Sequence, residues 1–144
     1  MQNEEPIKQS CLQVETDLNA VKEVLQWFEQ FVSPRWPKDF WWGCQVALEE
    51  GFTNAVRHAH RHLPPTTPIE LELKVFANRL EMRIWDRGEP FDLLTKLQVL
   101  CQEKCNPLEK EDGRGLIFMY RFTDELSYQR LSDQRNCLLM LKWC

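Results

Sequence analysis

Three polar side chains follow one stripe of a segment that is apolar enough to pack on a core, ALEEGFTNAVRHAH at residues 47–60. Glu50 and Asn54 are four residues apart, and His58 is four further on. Positions i and i+4 are neighbours on a helical surface, so a helix would place the carboxylate, the amide and the imidazole in one row. Such a row can bind a ligand or move a proton, or it can be a solvated polar face. The spacing alone leaves both interpretations open.

Two further stretches carry groups that suit a small-molecule ligand. Residues 86–88 (DRG) follow a predicted strand, where the Asp86 carboxylate could accept a hydrogen bond from a ligand amino group and the glycine would let the backbone approach it. Residues 113–116 (GRGL) lead into a predicted helix, whose N-terminus and exposed N–H groups favour an anion such as phosphate. Taken singly, each is also an ordinary turn. The chain has no GxxxxGK[ST] segment, which excludes a P-loop.

In this order and spacing the three stretches resemble the motifs of the Bergerat-fold, histidine-kinase-like ATPases. Glu50, Asn54 and His58 look like the N box, residues 86–91 (DRGEPF) like the first glycine box, and residues 113–116 like the second. The resemblance extends from the first predicted strand to the last hairpin. Within that group the chain is similar to the stand-alone bacterial anti-sigma-factor serine/threonine kinases.

The resemblance implies a role for each motif residue. Glu50 would be the general base that accepts the proton of the attacking hydroxyl, and Asn54 would ligate magnesium through its amide oxygen. Asp86 would read the adenine amino group, and Gly88 would let the base lie against the backbone beside Phe91. Residues 92–112 would close over the site as a lid. The phosphates would then be wrapped by Gly113, Arg114, Gly115 and Leu116. Arg114 could add positive charge to the phosphates or be a solvated lid residue.

The activity so implied is that of an ATP- and magnesium-dependent serine/threonine protein kinase that acts as an anti-sigma factor. Its partners would be an anti-sigma-factor antagonist, which it phosphorylates, a sigma factor, and a second copy of the chain in a homodimer. Many relatives carry a second glycine in the first box, whereas here Glu89-Pro90 stiffens the turn and adds a negative charge. The alternative is therefore a catalytically weak or inactive nucleotide-binding switch module that sequesters a regulatory protein partner.

The elements that must position these residues are predicted from hydrophobic periodicity. The predicted order is a strand at 7–15, a helix from Thr16 or Asp17 to about Val32, a helix from about Lys38 to His60, a hairpin at 69–86, a short helix capped by Asp92, a helix from Leu116 to Phe122 and a hairpin at 125–144. This order predicts an α+β fold, a two-layer sandwich with helices on one face of a mostly antiparallel sheet.

Length and charge narrow the class of protein. With 144 residues the chain is predicted to be a single domain, residues 1–144. Its net charge is −4 and its basic residues are dispersed, which argues against direct nucleic-acid binding. Its apolar runs are too short for a membrane span, and its polar, acidic N-terminus does not resemble a secretory signal, so a cytoplasmic location is expected, with reduced cysteines.

Two other clusters have alternative interpretations. The three histidines of residues 58–62 (HAHRH) could suggest zinc, but on a helix they would point to different sides, and no cysteine pair lies nearby. Trp36, Trp41 and Trp42 could be core residues or a protein-binding patch, because aromatic side chains concentrate at interface hot spots.

Overall fold

The computed structural model describes residues 4–90, 93, 95–96 and 114–144. The strands of this part of the chain are Lys8–Glu15 (β1), Pro68–Val75 (β2), Arg79–Asp86 (β3), Glu125–Arg130 (β4) and Asn136–Trp143 (β5). They form one five-stranded sheet in the order β1-β2-β3-β5-β4, and every neighbouring pair is antiparallel. The predicted strands and both predicted hairpins are therefore confirmed.

The described α-helices are Val21–Glu29 (α1), Lys38–Asn54 (α2) and Arg114–Arg121 (α3). A 3₁₀ turn, Leu18–Ala20, precedes α1, and the Asp17 carboxylate caps it by accepting the Asn19 N–H at 3.0 Å. The first helix ends at Glu29, earlier than the predicted Val32. The second begins at Lys38 as predicted but ends at Asn54, where it passes directly into a π-helix, Ala55–Ala59.

The helices and the sheet are held together by one apolar core. Along β2, Ile69, Leu71, Leu73 and Val75 are buried, and the residues between them are half-exposed, because alternate strand side chains point to opposite faces. The buried face of α2 supplies Leu48 and Phe52, among other residues of the same cluster. The structure confirms the predicted α+β two-layer sandwich.

The tryptophan segment divides between core and surface. Trp36 and Trp41 are 7% and 3% exposed and belong to the core cluster, and the Trp41 indole donates to the Ser33 carbonyl at 2.9 Å. A protein-binding patch that includes these two residues is therefore wrong. Trp42 is 59% exposed and packs edge-to-face on Phe122 with ring centroids 5.2 Å apart.

Some predictions fall outside the described residues. The short helix capped by Asp92, nearly all of the predicted lid, and the site residues Phe91 and Gly113 are among them. Arg114 is the first residue of α3, and only its backbone is among the described parts of the structure. None of the described helices combines the length and the apolar character of a membrane span.

Candidate functional site

A pocket of about 740 Å³ opens where the end of the second helix meets the loop after β3. Its volume lies in the range of small-molecule sites. Asn54 and His58 contribute from the helix, and residues 87–90 contribute from the loop. Gln134, in the β4–β5 turn, is also at this pocket and has a left-handed φ of 68°, which is uncommon for a residue other than glycine. Two of the three sequence stretches thus converge on one cavity.

Asp86 is buried at the end of β3 and anchors the loop. Its Oδ1 accepts hydrogen bonds from the Gly88 N–H at 3.0 Å and the Asn136 amide at 2.7 Å, and its Oδ2 accepts from the Tyr128 hydroxyl at 2.8 Å. A carboxylate offers about four acceptor positions. The hydrogen bonds of the described residues occupy three of them, which leaves one position at Oδ2 for a further donor.

The final hairpin supports this carboxylate through two neighbouring side chains. Asn136 lies opposite Asp86 in the β3–β5 register, is fully buried, and also donates to the Gly88 carbonyl at 3.0 Å. Burial raises the pKa of Tyr128, and the adjacent Asp86 charge and their hydrogen bond raise it further. Tyr128 therefore remains a protonated donor to the carboxylate at physiological pH.

Gly88 lies against the end of the π-helix that continues the second helix. A Cβ added there would be 2.0 Å from the Ala59 carbonyl oxygen and 2.6 Å from its carbon, so no side chain fits without moving backbone. The Gly88 carbonyl also accepts from Arg130 Nη1 at 3.0 Å. The absence of a side chain lets the loop close on the helix, and this contact shapes the pocket wall.

Gly88→Ala should therefore destabilise the fold and distort the pocket. Overpacking of this kind costs about 1–3 kcal/mol, and the upper end is expected because the clashing atoms are backbone. Chemical denaturation measures the loss. Gly43→Ala is the matched control: its Cβ would be 3.2 Å from the Phe122 ring, which can shift, so a cost below about 1 kcal/mol is expected. Equal costs in the two variants would contradict this account of the loop.

Glu50 lies against the first turn of α3 rather than in the lining of the pocket. A Cβ added to Gly115 would be 2.5 Å from Glu50 Oε2, so the carboxylate occupies the space that a larger residue would fill. Glu50 is half-exposed, which leaves it able to meet a reacting group. Leu116, also predicted at the site, is 4% exposed and packs in the core, so only its backbone could approach a ligand.

The pocket carries more positive than negative charge. Among its described lining residues, Arg87, Lys96 and Arg130 are cationic and Glu89 is anionic, with Pro90 beside it. Such a lining favours a ligand with several negative charges, because fixed cations attract it and the enclosing walls reduce screening.

Three residues that shape this site were not predicted from the sequence: Tyr128, Arg130 and Asn136. They belong to the last hairpin, 42 to 50 residues after Asp86 or Gly88, and join the site through hydrogen bonds. No short motif marks them. The β3–β5 register pairs Asn136 with Asp86, but this pairing is a property of the assembled sheet, so no signal in the sequence marks the three residues.

The fold and this arrangement of motifs are those expected of a histidine kinase-like ATPase domain, and comparison with known proteins agrees. A sequence model of the histidine kinase-like ATPase domain family matches residues 14–142. The chain belongs to this family. The resemblance inferred from the sequence is confirmed at that level.

Among individual proteins, the chain is similar to several called serine-protein kinase RsbW. It is 33% identical over 88 residues to the one from Bacillus licheniformis, covering 59% of this chain and 55% of that protein. For the Oceanobacillus iheyensis protein the identity is 30% over 100 residues, covering 67% and 61%. For that of Staphylococcus aureus it is 26% over 92 residues, covering 62% and 58%. The matches thus span little more than half the length of these curated relatives.

Proposed function

We propose that this protein is an ATP- and magnesium-dependent serine/threonine protein kinase that acts as an anti-sigma factor and phosphorylates an anti-sigma-factor antagonist. The observation that carries the proposal is the cation-lined pocket in which Asn54 faces the loop held by Asp86. The similarity to serine-protein kinases supports phosphotransfer to a protein hydroxyl. The antagonist, the sigma factor and a homodimer are proposed from the resemblance of the motifs.

The two ends of the site would bind different parts of the nucleotide, the adenine at one end and the phosphates at the other. The adenine amino group would donate to the remaining acceptor position of Asp86 Oδ2, with the base lying against Gly88. The phosphates would extend toward Asn54 and the start of α3, where the N–H groups of a helix N-terminus favour an anion. In this proposal residues 1–144 form one domain, with the lid at about 92–112 and with Phe91, Gly113 and Arg114 completing the nucleotide contacts.

The donor chemistry fits a magnesium ion that is held largely by phosphate. Among the described residues, no group of three His, Cys, Asp or Glu side chains could hold a metal ion. Magnesium keeps several waters and binds readily to phosphate oxygens with one or two protein oxygens, and the Asn54 amide can supply one of these. Bound there, the ion would neutralise charge on the phosphates.

Glu50 would serve the proton transfer. As the partner's serine or threonine oxygen bonds to the γ-phosphorus, the bond to the β-phosphate oxygen breaks, ADP leaves, and the hydroxyl proton passes to Glu50. Phosphoryl transfer otherwise depends on positioning and charge neutralisation, so a base adjacent to the phosphate end is the main contribution expected from a side chain.

Calorimetric titration with ATP and ADP, with and without magnesium, tests the pocket. Binding that magnesium strengthens is expected, and mixing with the antagonist should then yield a phosphoserine or phosphothreonine on it. A folded protein that binds neither nucleotide would overturn the proposal.

Gly115→Ala should separate catalysis from folding. Its Cβ would displace the Glu50 carboxylate, which is the end of a flexible side chain and can move. Misplacing a reacting group by about 1 Å can cost on the order of 10²-fold in rate, so phosphotransfer should fall by about 10–100-fold while the unfolding free energy changes by less than about 1 kcal/mol.

The control for this variant is Gly51→Ala. It lies beside Glu50 in the chain, but its Cβ would meet Ile84, Leu138 and Met140 instead. That change should affect stability and leave the rate per folded molecule nearly constant. A normal phosphotransfer rate in Gly115→Ala would show that the contact with Glu50 has no catalytic consequence.

A further inference from the structure

His60 is a buried histidine that joins three segments beside the pocket. It is 2% exposed, and both ring nitrogens have partners. Nδ1 is 2.8 Å from the Thr16 hydroxyl oxygen, which in turn donates to the Thr67 carbonyl at 2.7 Å. Nε2 accepts the Arg87 backbone N–H at 2.7 Å. The ring therefore connects the end of β1, the start of β2 and the loop after β3.

These hydrogen bonds define the protonation state of the ring. Nε2 accepts a hydrogen bond from a backbone N–H, so it carries no proton. Thr16 uses its own hydroxyl proton on Thr67 and must accept from Nδ1–H. The network thus assigns the neutral Nδ1–H tautomer. A second proton on the ring would set one N–H group against another at Arg87.

The π-helix accounts for the inward position of His60. Its backbone N–H bonds to the Ala55 carbonyl, five residues earlier, at 2.8 Å. This wider turn rotates the residues after it relative to a continuous α-helix, and such insertions are frequent at functional sites. His58 and His62 are exposed at the pocket, whereas His60 is buried behind the loop.

The loop that His60 holds is the one that walls the pocket. Arg87 and Gly88 both line the cavity, and the Gly88 N–H donates to Asp86. The consecutive backbone N–H groups of Arg87 and Gly88 are therefore fixed by donating to His60 Nε2 and Asp86 Oδ1.

We propose that His60 is a positioning residue of this pocket: its unprotonated Nε2 holds the Arg87 amide, and protonation of the ring releases the loop and weakens nucleotide binding. The effect on the ligand rests on the proposed function. The effect on the loop does not rest on the proposed function, because the contact between His60 and Arg87 involves no ligand.

Burial and the charges that face the ring determine the pH range in which His60 gains its second proton. Burial lowers the pKa of His60, the Asp86 carboxylate raises it, and the Arg87 guanidinium lowers it, with a net decrease from the ordinary value of 6.5. The groups that face the ring from β1 and β2, the Thr16 hydroxyl and the Thr67 carbonyl, are uncharged. The stabilisation is therefore complete above pH 6.5 and is lost as the pH falls from 6.5 through the lower folded-state value.

Amide hydrogen exchange at Arg87, measured by NMR in the nucleotide-free protein and corrected for intrinsic rates, tests the contact directly. Between pH 8 and pH 5 we expect protection to fall by on the order of tenfold or more. His60→Gln offers an amide oxygen to Arg87 but cannot titrate, so its protection should stay constant. His60→Ala should lack protection at both pH values, and His62→Gln should keep the pH dependence of the wild type.

The ATP dissociation constant at the same pH values tests the consequence for the ligand. From pH 8 to pH 5 it should rise by a larger factor in the wild type than in His60→Gln, because protonation of the terminal phosphate of ATP affects both proteins alike and only the wild type also protonates His60. The same pH dependence of Arg87 protection in wild type and His60→Gln would overturn the proposal, as would full protection in His60→Ala. Failure of the wild type to bind ATP at pH 8 would instead count against the proposed function, and the exchange measurement would still decide the role of His60.

Discussion

Replacing Glu50 with glutamine should lower phosphotransfer by about 10²–10⁴-fold, which is the usual contribution of a general base. Glutamine has the same shape, so it can occupy the space beside Gly115 without a clash, but it cannot accept the hydroxyl proton. Nucleotide affinity should be nearly unchanged, because glutamine keeps the size of Glu50 and the proposed partner of Glu50 is the attacking hydroxyl rather than the nucleotide. Single-turnover transfer from labelled ATP to the antagonist measures the rate, and calorimetry measures the affinity.

Glu49→Gln is the matched control for this variant. Glu49 precedes Glu50 and is also half-exposed, but its place in the helix turns it about 100° away. Its rate should stay close to that of the wild type. If Glu50→Gln transferred phosphate at the normal rate, Glu50 would not be the base. If the wild type bound ATP and sequestered its partner without any transfer, the switch module would be the better description. Glu89 and Pro90, which alter the first glycine box and line the pocket, are the basis of that alternative.

Asp86→Asn should weaken ATP binding by about 10–100-fold. The substitution keeps one oxygen for the Gly88 and Asn136 donors but exchanges Oδ2 for an NH₂ group. The acceptor position offered to the adenine amino group then becomes a donor, and a buried polar group left unmatched costs about 1–3 kcal/mol. The unfolding free energy should fall by a similar amount, since the Tyr128 hydroxyl loses its acceptor.

Tyr128→Phe separates these two effects. It removes one hydrogen bond to Oδ2 and leaves the carboxylate in place, so a stability loss of about 1 kcal/mol is expected with ATP binding retained. Calorimetry and denaturation of both variants give the comparison. Unimpaired ATP binding by folded Asp86→Asn would rule out direct recognition of the base by this carboxylate.

Local sequence patterns were sufficient for most of the secondary structure. The alternation along Pro68–Val75 and Arg79–Asp86 predicted a hairpin because side chains that alternate in polarity bury one face of a strand. The second helix was predicted to continue to His60, and its change to a π-helix at Ala55 was not. A single-residue change of hydrogen-bond spacing leaves little trace in hydrophobic periodicity, so its consequence for His60 was also missed.

The sequence by itself determined the five strands, the three described α-helices and the α+β class, and it singled out Glu50, Asn54, Asp86 and Gly88 as candidate site residues. Helix and strand periodicity and short motifs are local properties of the chain. Only the tertiary structure decided which groups surround these candidate residues. Asn136 reaches Asp86 through the β3–β5 register, and His60 reaches Arg87 through packing of a helix end on a loop. These hydrogen bonds join residues 27 to 50 positions apart. Their partners are set by the geometry of the assembled sheet and helices, which no local pattern encodes.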